Sequence, residues 1–165
     1  MSTPVTPSPV QPDFPVQKGA QFSVGHLGPF DQLMHYRFSV PALGGRAVPG
    51  KVFLKDALQL TGVEVSYNCF PPGVGMPFLH AHQRHEEIYL FTSGQGEFMV
   101  DGEVFPVGEG SVVRVAPAGT RAYRNTGQQP LYFIVLQVTV NSLSAGTIDD
   151  GIVQGKPVWP LAGAA

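Results

Sequence analysis

The chain is expected to be all-β, an antiparallel sandwich or barrel, and three observations lead there. From residue 50 onward, turn signals recur about every 8 to 12 residues, the interval typical of such folds. The composition, with 20 Gly and 16 Pro beside 11 Phe and 5 Tyr and only 13% charged residues, suits short strands joined by tight turns. No window keeps apolar residues at i, i+3 and i+4 over three turns, which argues against a helix bundle. With 165 residues the chain is one domain by the usual prior, long enough to bury a core.

Residues 1–19 alternate Pro with Ser, Thr, Val and Gln, a pattern that favours polyproline II or disorder over a strand ladder. They are read as a flexible N-terminal arm, followed by a β domain over 20–141 and a C-terminal extension over 142–165. LMHYRFSV is expected to pair as a strand with Met34, Tyr36 and Phe38 on one face. His26 and His35 have no near partner and read as surface residues. KVFL is a short strand, and VEVSYNCF alternates Val63, Val65, Tyr67 and Cys69 against Glu64, Ser66 and Asn68. That alternation puts Cys69 on the buried face as an inert packed thiol.

PPGVG is a turn, followed by a strand carrying His80 and His82 and a strand containing EIYLF. Asp101-Gly102 between GEFMV and EVFPV signals a two-residue type I′ hairpin. SVVRVA, TRAYRN and the long LYFIVLQVTV complete the series. Ile152-Val153 is a short strand candidate, and Trp159 is expected to pack on the domain or across a dimer.

The net charge of −2 and scattered Lys and Arg give no electrostatic case for nucleic acid. No stretch approaches the roughly 20 apolar residues of a membrane span, and the N-terminus lacks the marks of a secretory signal. One cysteine cannot form an internal disulfide. A soluble cytoplasmic protein is the expectation.

The chemistry concentrates in GMPFLHAHQRHEEIYLFTSG. On a strand, His80 and His82 share a face, and a short polar turn before the next strand lets Glu87 reach the same point. Two imidazoles and a carboxylate are the ligand set of a facial-triad metal site. Glu86 is the alternative carboxylate. Glu87 is preferred because it shares strand parity with Tyr89 and Phe91, the expected inner side. His85 sits in the turn, more suited to solvent than to a third imidazole position.

These residues resemble the two motifs of the cupin superfamily. Gly75, His80, His82, Glu87 and Gly94 match the first motif, with the leading gap one residue short. Gly110, Pro117, Gly119 and Asn125 match the second, with the leading gap one residue long. The histidine of that motif is absent: counting from Pro117 puts Ala122 in its place, and counting back from Asn125 puts Arg121 there. The resemblance covers residues 63–140 and implies an antiparallel jelly-roll (double-stranded β-helix) barrel, of the small bacterial single-domain kind, with a small-molecule pocket inside. It also implies a homodimer, which would cover exposed sheet edges.

Most metal cupins are similar in using three histidines and one glutamate, whereas this chain offers His80, His82 and Glu87. Three ligands suffice for a catalytic centre with open positions. The set favours Fe(II), with Zn, Mn, Ni and Co left open. In the competing arrangement Arg121 fills the missing position and pairs with Glu87, and no metal binds. Both hold together if Arg121 or Arg114 forks onto an anionic substrate group. Tyr89 and Arg121 are the candidate catalytic residues, although Tyr89, with Phe78, Phe91 and Tyr123, is also what an aromatic core is made of. The functional expectation is a metal-dependent enzyme on a small organic molecule, a dioxygenase first and an isomerase or lyase second. The alternatives are a non-catalytic ligand-binding or sensing module, and a structural domain with a vestigial pocket.

Overall fold

The protein was analysed as a computed structural model, whose described residues are 14–144, 146 and 149–160. Most of the Pro-rich arm and the last five residues lie outside them. In chain order, β1 (Val16–Lys18) pairs with β2 (Ser23–Gly25), and β3 (Arg37–Phe38) pairs with β4 (Val48–Pro49). β5 (Lys51–Phe53) leads into one helical turn, α1 (Lys55–Leu58), and then β6 (Glu64–Phe70). β7 (His85–Ser93), β8 (Gln95–Val100), β9 (Glu103–Gly108), β10 (Val112–Val115), β11 (Arg121–Asn125) and β12 (Leu131–Thr139) follow.

Two antiparallel sheets dominate, one ordered β10-β7-β12-β6-β5 and the other β11-β8-β9. Their facing sides share one core of Tyr89, Phe91, Phe98, Val107, Val115, Tyr123, Leu131, Phe133 and Val135. The strand order is cupin-like, yet the sheets do not close, and the expected jelly-roll barrel is corrected to an open pair of sheets. The segment that would close them runs from Pro71 to Arg84. Pro71, Pro72 and Pro77 remove backbone donors from it. Only two isolated bridges remain against β11, Gly75 with Arg124 and His80 with Arg121.

Alternation along the strands decides which side chains enter the interior. His85, Glu87, Tyr89 and Phe91 of β7 share a face, and Glu87, Tyr89 and Phe91 stand opposite Gln137, Val135 and Phe133 of β12. On the other flank of β12, Glu64, Ser66 and Asn68 of β6 stand opposite the same three residues. Phe53 and Lys51 continue the rows on β5, opposite Ser66 and Asn68. The polar face of VEVSYNCF therefore looks inward, and Ser66 and Asn68 are buried with it. Its apolar face is buried too, because Phe14, Leu33, Val52, Leu54 and Cys69 form a second cluster on the outer side of the sheet. Cys69 is free and buried, as its parity implied.

Local chemistry explains the turns. Asp101 (φ 50) and Gly102 (φ 90) both adopt positive φ, as a type I′ hairpin requires, and Val100 pairs with Glu103 across them. Gly94 has φ +88, and a Cβ there would lie 2.4 Å from the Pro130 carbonyl oxygen, so a side chain cannot fit.

Three element assignments are corrected. LMHYRFSV does not form one strand: residues Phe30–His35 wind into a 3-10 turn that buries Leu33, and only Arg37–Phe38 pairs. The His80–His82 stretch is no strand, for the backbone reason given above. Ile152 and Val153 pair with nothing among the described residues and are exposed, and Trp159, 81% exposed, does not pack on the domain.

Candidate metal centre

Two elements and one bridge assemble the centre. Glu87 projects from β7 into the interior, and Arg121, the first residue of β11, approaches it from the facing sheet. The backbone of His80 exchanges hydrogen bonds with Arg121 in both directions (3.2 and 2.9 Å), and the His82 amide donates to the Pro117 carbonyl at 2.9 Å. Backbone bonds to β11 and its preceding turn therefore aim both imidazoles at Glu87, in place of strand alternation.

One ligand atom from each of His80, His82 and Glu87 lies within 4.8 Å of the others. His82 Nε2 is 3.1 Å from Glu87 Oε1, and His80 Nε2 is 3.9 Å from Oε2. His80 Nδ1 and His82 Nε2 are buried nitrogens without a hydrogen-bond partner, and such orphans carry a desolvation cost that a bound ion removes.

The two carboxylate oxygens of Glu87 are used differently. Oε2 accepts hydrogen bonds from the Tyr89 hydroxyl and from Arg121 Nη2 (2.7 Å) and Nε (3.2 Å). Oε1 takes none of these and faces His82. Burial favours the protonated acid, but contacts with His82, Tyr89 and Arg121 outweigh it and hold the Glu87 pKa at about 2. His80 is lowered to about 4, first by burial and then by the nearby Arg121 charge, so its ring is neutral at neutral pH, as a ligand must be. Burial also raises the Tyr89 hydroxyl far above its ordinary range, reinforced by the charge of Glu87, so it stays a donor.

Arg121 is fully buried. Its remaining donors go to the Gly119 carbonyl at 2.8 Å and the Pro117 carbonyl at 3.5 Å. Burial works against its charge, yet its bonding to Glu87 carries the pKa up. The guanidinium, at one of the two positions the motif count allows for the missing histidine, bonds Glu87 and is committed to protein partners. It has no fork to offer a substrate. Arg114 is likewise engaged, pairing with Glu86 at 2.6 Å on the outer face of the sheet, and neither residue of that pair joins the centre. The anion-binding role considered for both arginines is corrected on these grounds. Of the other histidines, His26 and His35 are exposed and lie outside the cluster.

Sequence reasoning missed Gln137 and Lys51. The Gln137 amide lies 3.4 Å from Nδ1 of both His82 and His85, and a turn of the amide presents either its donor or its acceptor to the rings. Its signal was visible: a lone amide in the inward parity of an otherwise apolar strand. Beside it opens a cleft of about 440 Å³ bordered by Phe53, Glu64, His85, Gln137 and Thr139. Lys51 had no sequence signal, because only its register with Asn68 turns it inward.

A family profile described as "Cupin domain" matches residues 67–137. A solved cupin protein from Bacteroides fragilis is 43% identical, with a TM-score of 0.61, over 63% of this chain and 88% of that one. The chain belongs to the cupin superfamily. This cupin is also similar to a structure from Thermotoga maritima described as a predicted oxalate decarboxylase, 26% identical over 55% of this chain and 79% of that one, TM-score 0.50. A protein from Photorhabdus luminescens, 14% identical over 70% of this chain and 87% of that one with a TM-score of 0.53, shares the fold. No curated protein matches this cupin. This cupin has a His-His-Glu cluster with the capacity to hold a divalent transition ion, and a buried arginine paired with its glutamate. None of its described helices is long and apolar enough to cross a membrane.

Proposed function

We propose that this protein is a metal-dependent enzyme acting on a small organic molecule, with His80, His82 and Glu87 holding the ion. The observation that carries this reading is the gathering of one ligand atom each from His80, His82 and Glu87 within 4.8 Å, with Glu87 Oε1 turned to His82 and away from the Arg121 and Tyr89 bonds on Oε2. A bound ion supplies Lewis acidity and, as Fe(II), which this ligand set favours, redox chemistry. The chain's own residues do the rest. Arg121 and Tyr89 hold Oε2 so that Glu87 presents one oxygen, and Gln137 orients the His82 ring. The cleft beside Gln137 admits the substrate. A dioxygenase is the first reaction class, and a lyase on a small acid the second, supported by the likeness to the predicted oxalate decarboxylase.

A second reading has its own observation. The Arg121–Glu87 pair satisfies the carboxylate without an ion, which suits a ligand-binding or sensing module. Elemental analysis of protein purified without a metal-affinity column separates the two. The enzyme reading expects close to one ion per chain, lost in His80→Ala and His82→Ala while the fold persists; metal-free wild-type protein that refuses added Fe(II), Mn(II) and Zn(II) overturns it. The same proposal places the protein in the cytoplasm as a homodimer, with the exposed Val158 and Trp159 at the contact. Light scattering on a Trp159→Ser variant checks the dimer, and an unchanged mass for both proteins removes that role.

A further inference from the structure

One cation is locked beside the metal centre. The Arg121 guanidinium donates from Nη2 (2.7 Å) and Nε (3.2 Å) to Oε2 of Glu87, and from Nη1 to the Gly119 carbonyl at 2.8 Å. Its side chain is fully buried, where solvent and salt screen a charge far less than at the surface. Its backbone is held as well: the Arg121 amide donates to the His80 carbonyl, and the His80 amide to the Arg121 carbonyl. The residue that carries the charge and a residue that carries a ligand are thus parts of one bridge. An ion arriving at the centre meets a guanidinium fixed in place.

The charge count follows. Two neutral imidazoles and one carboxylate bring a single negative charge, and Arg121 offsets it from the neighbouring oxygen. Among the described residues no second carboxylate joins the cluster, since Glu86 pairs with Arg114 on the outer face of the sheet. A divalent ion on His80, His82 and Glu87 therefore keeps its whole charge uncompensated. Repulsion from the guanidinium grows in proportion to the charge on the ion and is strong where water is excluded. Loss of an electron from a bound ion is opposed for the same reason.

We propose that Arg121 sets the charge state of the centre: it holds affinity for the ion down, selects divalent over trivalent ions and keeps bound iron ferrous. This rests on the metal reading above and goes beyond it by assigning the oxidation state. Arg121 touches neither ion nor substrate. It is a positioning residue that acts through Glu87 and through its own field.

Two measurements test this in wild type, Arg121→Gln and Arg121→Lys, with bound metal determined in every sample. One is Zn(II) affinity by competition with a chromophoric chelator, and the other is the one-electron potential of bound iron by anaerobic redox titration. Arg121→Gln keeps a donor for Oε2 without the charge, and Arg121→Lys keeps the charge without the fork. Arg121→Gln is expected to bind Zn(II) at least tenfold more tightly than wild type. Its iron potential is expected to fall by at least about 59 mV, which is a tenfold shift in the ferrous-to-ferric ratio for one electron. Arg121→Lys is expected to stay near the wild type in both. Wild-type affinity and potential in Arg121→Gln overturn the electrostatic role and leave the metal reading standing. Equal gains in Arg121→Gln and Arg121→Lys trace the effect to shape and overturn that role too. A wild type that holds neither Zn(II) nor iron overturns the metal reading and this inference together. Should Arg121→Gln not fold, the wild type decides alone. Its iron potential is expected to lie above that of the iron–EDTA couple, an anionic ligand set, and a lower value overturns the proposal.

Discussion

The interior between the two sheets has two ends built by the same strands with opposite chemistry. At one end Phe91, Phe98, Phe133 and Tyr123 meet ring on ring, with Phe98 stacked on Tyr123 at 5.4 Å and Tyr123 edge-on to Phe133 at 5.2 Å. At the other, His80, His82, Glu87, Arg121 and Gln137 gather, each within 4 Å of another of the group. β7 passes from one to the other within a single inward row, from Phe91 through Tyr89 to Glu87. Tyr89 is the hinge between them, its ring 4.8 Å from Phe98 and its hydroxyl on the carboxylate. Strand parity thus says which side chains enter the interior, and position along the strand says whether they meet hydrocarbon or charge. The dry end supplies cohesion, and that cohesion holds the polar end in a geometry it would not adopt unaided.

The sharpest way to separate the two ends is to damage one and read the other. Phe98→Ala removes a fully buried ring and is expected to cost about 3–5 kcal/mol in denaturant unfolding. The surviving folded fraction should still bind metal with wild-type stoichiometry. A drop in stoichiometry would mean that the two ends are not separable.

Arg121→Met, at the polar end, is expected to cost a similar amount, about 3–5 kcal/mol, by leaving Glu87 buried without its countercharge. It differs in being pH-dependent, because Glu87 then escapes by taking a proton at higher pH than in the wild type. An Arg121→Met protein as stable as the wild type at pH 7 would show that the ion pair contributes nothing net.

Acidification probes the polar end without mutation. Glu87 titrates at about 2 in the folded chain against an ordinary 4.5, so its contribution is complete above 4.5 and lost as pH falls towards 2. His80 titrates at about 4 against 6.5, so the unfolded chain takes up that proton first and stability falls between 6.5 and 4. Both act in one direction, and metal-free protein should lose on the order of 2–4 kcal/mol per group from pH 6.5 down to 2. Lys51 runs the other way at the alkaline end. It is lowered by burial to about 8 from 10.5, so stability rises as pH passes from about 8 to 10.5, and Lys51→Met abolishes that rise. Melting temperature against pH, for wild type and Lys51→Met, checks both limbs.

The smallest expected effect belongs to Gln137→Leu. It leaves the ligands in place but removes the amide beside His82, and should weaken metal affinity about tenfold with little change in melting temperature. Wild-type affinity in this variant would reduce Gln137 to a wall of the cleft.

Much of this was legible in the residues. Alternation in VEVSYNCF, EIYLF and LYFIVLQVTV located the strands, Asp101-Gly102 located the hairpin, and the His80–His82–Glu87 spacing located the centre. The reason offered for that spacing was incomplete, since hydrogen bonds to β11 and Pro117, not strand alternation, converge the two imidazoles. LMHYRFSV misled because its alternation also fits a 3-10 turn that buries Leu33. The polar face of β6 misled because a sheet covered on both sides has no solvent face for Glu64, Ser66 and Asn68 to occupy.

What the amino-acid order determined by itself is therefore local: strand positions, turn types and the gathering of His, His and Glu within a few residues of one another, because periodicity and φ preferences act over short stretches. Tertiary structure alone decided that the sheets stay open, that Arg121 and not Ala122 meets Glu87, and that Lys51 turns inward. Each of those depends on registers and ion pairs between strands distant in sequence, where burial and Coulomb energies act across the fold and leave no mark on the local pattern.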